Sequence, residues 1–223
     1  DMRFDQRGLT AAPHGTGADL LSVAPGVYVA HPEGDAIAQR IYLRGFDAEH
    51  GQDVELRVAG IPMNQASHLH GQGYADLGLV IPETVRQLRV MEGIYDPRQG
   101  DFAVAGSAEM DLGVEERGVL LKYGRGSFAT DRALALWAPK GQAPETFGAV
   151  MLRRTDGFGP GVRGSQSGAM VAQYKLPIGA ANHILFHAAA NAARANVAGV
   201  VRRDDVDSGR VDFYDAYPDA SAR

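Results

Sequence analysis

His68 and His70, in Ser67-His68-Leu69-His70, are the side chains whose spacing first suggests chemistry. In an extended segment, residues two apart point the same way, so the two imidazoles could share a metal ion. His50, Glu49 and Asp76 lie near them in sequence, but spacing fixes no third ligand. The plainer reading is a polar loop whose histidines face water or bond the loop itself, and no metal is assigned. Other constellations fail sooner. Ser67 and Ser107 lack the strand-turn-helix setting of a nucleophile elbow. Asp101, Glu109 and Asp111 are scattered acids that spacing alone does not pair. Gly71-x-Gly73 lacks the following glycine and the strand-to-helix context of a phosphate loop. Tyr42, Tyr74, Tyr95 and Trp137 read as packing or interface aromatics. No catalytic set emerges, so the chain is not expected to be an enzyme, and no cofactor is implied.

The elements that must position these residues centre on Arg40–Asp76. Two alternating segments, Arg40–Arg44 and Val54–Val58, flank a polar turn, and Gly60-Ile61-Pro62 stops the second. The loop that follows, Met63–Tyr74, holds two histidines, two glutamines and two glycines but few apolar residues. Such a loop is uncommon in a compact domain unless it binds something or is disordered. Gly45, Gly60, Gly71, Gly73 and Pro62 give it a fixed shape, which argues for binding.

Composition narrows the class. The 223 residues carry a net charge of −5 and 28 glycines, which suits a turn-rich β protein of one large domain or two small ones. There is no cysteine, hence no disulfide framework or thiolate metal site. No basic block exists, and a net negative chain gains nothing from counterion release, so nucleic acid is not an expected partner. No apolar run is long enough for a transmembrane helix, yet barrel strands need only about 10 alternating residues. The start, Asp1-Met2-Arg3-Phe4-Asp5, has acids where a signal peptide needs a basic end, so a leader is expected to be processed off or missing.

Along the chain, residues 1–17 are polar and contain Gly and Pro, and are expected to be mobile. Ala18–Ala24 reads as a short helix ended by Pro25-Gly26, followed by a strand Val27–Ala30 and a loop tip at 31–35. Gly78–Leu88 reads as helix or turn with Pro82 at a helix start and Glu83 at the positive end of its dipole. Leu88–Glu92 and Ser107–Leu112 are strands around a Tyr95–Gly106 loop, giving a small α+β unit. From Val114 the texture changes to Gly118–Gly124, Phe128–Trp137, Phe147–Arg154, Ala169–Leu176 and His183–Asn191. Their alternation is imperfect but repeated, and Gly/Pro turns such as 157–161 separate them, the pattern of successive antiparallel strands. Polar Val200–Ser208 reads as a loop.

The ordered series Arg44-Gly45-Phe46, Gly60-Ile61-Pro62, His70-Gly71-Gln72-Gly73-Tyr74-Ala75-Asp76-Leu77 and Ile81-Pro82-Glu83 resembles the plug domain of TonB-dependent outer-membrane receptors. The resemblance runs from about Asp19 to Leu112. It implies a flexible segment 1–18, an α+β plug 19–113, and the first strands of an incomplete transmembrane β-barrel in 114–223. It places Met63–Tyr74 at the outward-facing plug apex, with Asn64, Gln65, His68, His70, Gln72 and Tyr74 as ligand contacts. It makes Arg44 an ionic link to a barrel acid, which a bidentate guanidinium suits. Two positions depart from the pattern: Glu92 stands where an arginine is common, and Ala59 where an acid is. No convincing TonB box is found. The roughly 110 residues after Gly113 suffice for about 5 or 6 spanning strands, far from the roughly 22 of a plugged barrel. The chain therefore reads as the front part of a receptor, cut in an early loop and unstable alone because of its open edge.

The function implied is capture and TonB-energised import of a scarce ligand, by default a ferric siderophore, in the outer membrane of a Gram-negative bacterium. TonB, the small-molecule ligand and outer-membrane lipid are the expected partners. The alternative is a truncated or independent plug-like module that binds without transporting, and a third reading is a periplasmic metal-dependent hydrolase using His68 and His70.

Overall fold

A computed structural model describes all residues except Glu33, Asp35, Ala36, 160–162, Ala180, Ala198, Ala216 and 218–223. Its first part holds β1 (Met2–Asp5), β2 (Val27–Ala30), β3 (Arg40–Leu43), β4 (Phe46–Asp47), β5 (Val54–Val58), β6 (Ile61–Pro62), β7 (Val85–Glu92) and β8 (Gly106–Leu112). They form a mixed sheet of order β1-β7-β8-β5-β6, in which only β5 and β8 run parallel, and a small antiparallel sheet β2-β3-β4. In β8 the period of two is complete: Gly106, Ala108, Met110 and Leu112 are buried, while Ser107, Glu109 and Asp111 are half-buried. An irregularity between Val85 and Gln87 shifts the parity of β7, so that Val85, Leu88 and Val90 all reach the core.

The N-terminal segment is not a flexible tail. β1 pairs antiparallel with β7, and a helix, α1 (Gln6–Ala11), follows it. The Asp5 carboxylate caps that helix by accepting the Gly8 N–H at 2.9 Å, and Leu9 is buried. Arg89 donates to both oxygens of the Asp1 carboxylate, from Nε and one terminal nitrogen, each at 3.0 Å. The four-residue alternation of Met2 and Phe4 was too short to stand out from loop sequence, and its partner strand lies far along the chain. Three other readings shift. Ala18–Val23 is a 3-10 helix that buries Leu20 and Leu21. The helical region after Gly78 shrinks to a 3-10 turn at Pro82–Thr84, so β7 begins at Val85 rather than Leu88. Val200–Ser208 contains a short helix, α2 (Arg203–Asp207). Glu33 and Asp35 of the expected loop tip, and Gly161 of the expected turn, lie outside the described residues.

The second part is an antiparallel meander of β9 (Gly118–Gly126), β10 (Thr130–Ala138), β11 (Phe147–Thr155), β12 (Ser165–Ile178) and β13 (Asn182–Ala195). The five alternating segments are these strands. Phe128 and Ala129 both have positive φ in the β9–β10 turn, so β10 starts after them. Leu134 and Leu136 of β10, Ala149 and Met151 of β11, and Ala169 and Val171 of β12 join one core with Leu88 and Met110 of the first part. The opposite parity exposes Leu121, Trp137, Val150, Leu152 and Met170, with Arg125, Asp131 and Arg154 on the same face toward one end of the strands. Among the described residues β9 and β13 are both edges, so the sheet is open.

Candidate functional site

The loop Met63–Tyr74 hangs from the β5–β6 hairpin, which reverses at Ala59 and Gly60, both at positive φ. Asn64 then pins it. Its Oδ1 accepts the Leu56 N–H (2.8 Å), and its Nδ2 donates to the carbonyls of Gly51, Val54 and Gly73 (2.9, 3.0 and 3.1 Å). The loop is closed by Gln65 N–H to the Tyr74 carbonyl (2.9 Å) and Gly73 N–H to the Gln65 carbonyl (2.7 Å). At Gly73, with φ of +88°, a Cβ would meet the Phe102 ring at 2.8 Å and the Gln52 Cα at 2.9 Å, so only glycine fits.

The expected contact residues divide into two groups. Asn64 and Tyr74 face inward. Tyr74 is 8% exposed, and its hydroxyl accepts the Ala38 N–H at 3.1 Å. His50, also buried, bonds the Ala38 carbonyl through Nδ1 at 2.7 Å. Gln65, His70 and Gln72 are exposed and His68 is half-buried. His68 lies flat on Tyr74, with ring centroids 3.9 Å apart and planes 15° apart, and His70 runs nearly parallel beside it at 5.5 Å. His50 meets His70 edge-on at 5.4 Å. Among the described residues no group of three His, Cys, Asp or Glu side chains is placed to hold a metal. The tip residue Leu69 is 96% exposed, and Tyr95, in the loop after β7, is 83% exposed; alternation gives no signal for either.

Arg44 pairs with Glu92 at 2.9 Å, within the first part, and Glu92 is the residue that departs from the family pattern. The ion pairs that cross to the meander sheet start elsewhere. Glu83, its side chain 7% exposed, takes both terminal nitrogens of Arg132 at 2.8 and 2.7 Å, with the Lys122 ammonium at 3.5 Å. Burial alone would raise the Glu83 carboxyl, but the Arg132 hydrogen bonds and charge hold it below the ordinary range. Arg86 reaches Glu145 at 3.5 Å, which Lys175 also contacts at 3.3 Å. In sequence Glu83 stands out as a helix-dipole partner and as part of the Ile81-Pro82-Glu83 series, and neither points to Arg132.

A second polar node joins the segment after α1 to the loop at His31. The Asp19 carboxylate accepts the N–H groups of Gly15 and Thr16 at 2.8 and 2.7 Å and bonds His31 Nε2 at 2.9 Å. Burial opposes its charge, yet these hydrogen bonds outweigh that and bring its pKa down to about 2.

No helix among the described residues is long and apolar enough to cross a membrane, which says nothing of crossing by strands. Residues 4–107 match the family model of the TonB-dependent receptor plug domain. No curated protein matches the sequence. Among solved structures, the ferric citrate transporter FecA in its unliganded form is similar at a TM-score of 0.66 and 16% identity, over 93% of this chain and 33% of that one. The copper transporter OprC gives a TM-score of 0.66 at 18% identity, over 89% and 31%. The ferric yersiniabactin uptake receptor FyuA from Yersinia pestis gives 0.65 at 19%, over 88% and 32%. At such identities the likeness is one of fold. This chain spans about a third of each of those proteins. Residues 4–107 are thus a TonB-dependent receptor plug domain, and the antiparallel sheet packed against it shares the fold of the receptors the chain is similar to.

Proposed function

We propose that the protein is an outer-membrane receptor of a Gram-negative bacterium that captures a scarce ligand, an iron–siderophore complex, and imports it with energy drawn from TonB. The observation that carries this is the two-sided meander sheet. One apolar face is buried against the plug, and the other, with Leu121, Val150, Leu152 and Met170, is exposed and suits a lipid hydrocarbon phase. Residues to about Gly113 would be the plug, now including β1 and α1, and 114–223 the first barrel strands. Gln65, His68, His70 and Gln72 would meet the ligand, while Asn64 and Tyr74 hold the loop that presents them. Ligand binding there would signal to the periplasmic side, and TonB would pull on the plug; no bond is made or broken. Two of the similar receptors carry iron chelates in their names, which supports the choice of cargo.

The test is uptake of radiolabelled ferric siderophores by cells in which this receptor is the sole route. Uptake that vanishes when TonB is deleted is expected. Binding at the surface without TonB-dependent uptake would favour the plug-like binding module instead.

A further inference from the structure

The outward part of the Met63–Tyr74 loop has an unusual electrostatic character. Residues 61–75 contain no Asp, Glu, Lys or Arg. What they present is two amides, Gln65 and Gln72, the exposed Leu69, and the near-parallel rings of His68 and His70 backed by Tyr74. The ionised group hydrogen-bonded at the loop's edge is an acid. Gln52, whose amide lies 3.0 Å from where a Gly71 Cβ would sit, donates to the exposed Glu49 carboxylate at 3.2 Å. A polyanionic chelate would lose hydration here without meeting a guanidinium or ammonium from the loop itself. A neutral one could stack on the rings and bond the amides at little desolvation cost.

We propose that this loop selects an uncharged, hydrogen-bonding cargo, laid on the His68–His70 ring shelf between Gln65 and Gln72, and discriminates against polyanionic chelates. This rests on the import reading above and narrows its cargo class. Among ferric chelates it favours those in which the ligands cancel the metal's charge, as three hydroxamates do. It disfavours those left strongly negative, as three catecholates leave them.

The experiment compares a ferric tris-hydroxamate with a ferric tris-catecholate as probes. Both are titrated into the full receptor in detergent at about pH 8, above the ordinary imidazole range, with tryptophan and tyrosine fluorescence as readout. The neutral chelate is expected to bind about tenfold or more tighter. His68→Ala should weaken it by roughly five- to tenfold, the worth of an aromatic stack. Gln72→Arg should raise the affinity for the anionic chelate about two- to fivefold, as one exposed charge pair would. Tighter binding of the tris-catecholate by the unmodified protein overturns the charge selection and leaves iron uptake standing. An unchanged affinity in His68→Ala overturns the ring shelf. Binding of neither chelate by a folded receptor that does import some other ligand overturns both this inference and the iron reading.

Discussion

Arg132, on the second strand of the meander sheet, grips Glu83 of the plug with both terminal nitrogens, at 2.8 and 2.7 Å, and the two side chains are 16% and 7% exposed. The pair sits where the plug's 3-10 turn at Pro82–Thr84 meets the sheet, and Lys122 adds a second cation. A charge pair this enclosed contributes chiefly by the harm done when half of it is removed. Arg132→Met should leave Glu83 buried with only Lys122 nearby and cost about 3 kcal/mol. Glu83→Gln with Arg132→Met together should recover part of that loss. Denaturant unfolding of the four proteins of the double-mutant cycle gives the coupling, and a coupling near zero would mean the plug is not fastened here.

Asp19 supplies a pH dependence whose sign is fixed. Its folded pKa of about 2 lies below the ordinary 3.8, so the carboxylate's contribution is complete above the ordinary value and disappears as pH falls through the folded one. That shift corresponds to about 2 kcal/mol. Asp19→Asn should remove roughly this much stability at neutral pH and flatten the stability profile between about pH 4 and pH 2. A variant whose acid limb still parallels the parent's would place the titration on other carboxylates.

How much of this was legible in the sequence follows from where the information lies. Strands β9 to β13 are visible because short segments of imperfect alternation recur between Gly/Pro turns, although β9 and β13 show little alternation of burial and the ends drift. The polar loop after Pro62 is visible because Gly and Pro punctuate it. Partners are another matter. Asn64 and Gln65 are neighbours of similar chemistry, yet one amide is spent on four backbone groups and the other faces out. Nothing in residue type distinguishes them. Glu83 and Arg132 are 49 positions apart, and only the fold brings them together. β1 is lost for the same reason, since a four-residue strand is defined by its pairing with β7 rather than by its own pattern.

The division of labour within the loop can be separated experimentally. Asn64→Ala deletes bonds to Leu56, Gly51, Val54 and Gly73, and should cost about 2 to 3 kcal/mol while hydrogen exchange rises across 65–74. Gln65→Ala and Gln72→Ala remove exposed amides and should change stability by no more than about 0.5 kcal/mol while weakening ligand capture. Equal destabilisation by all three would deny Asn64 its special role.

Gly73 tests the loop's backbone. At φ of +88° it is in the left-handed region, and an alanine methyl would collide with Phe102 at 2.8 Å and with the Gln52 Cα at 2.9 Å. Gly73→Ala should therefore destabilise by about 2 kcal/mol or more. Adding Phe102→Ala should relieve the side-chain clash but not the backbone one, so thermal unfolding is expected to show only partial rescue. Full rescue would mean the Gln52 backbone yields.

The outward face of the meander decides whether these strands meet lipid. Ala135 of β10 lies between Leu121 of β9 and Val150 of β11 in the register, all on the exposed parity. Its neighbour Leu134 lies on the opposite face, buried against the plug. If the exposed face sits in hydrocarbon, a charge at Ala135 has no water to reach, and Ala135→Arg should cost about 2 to 4 kcal/mol of folding into vesicles. Ala135→Leu should cost nothing there, because its apolar surface is welcome in lipid. If the face meets water instead, the order reverses: arginine becomes neutral and leucine adds an exposed apolar patch. Urea titration of the full receptor in phospholipid vesicles separates the two cases. A neutral Ala135→Arg would remove the observation on which the outer-membrane reading rests, whatever the plug binds.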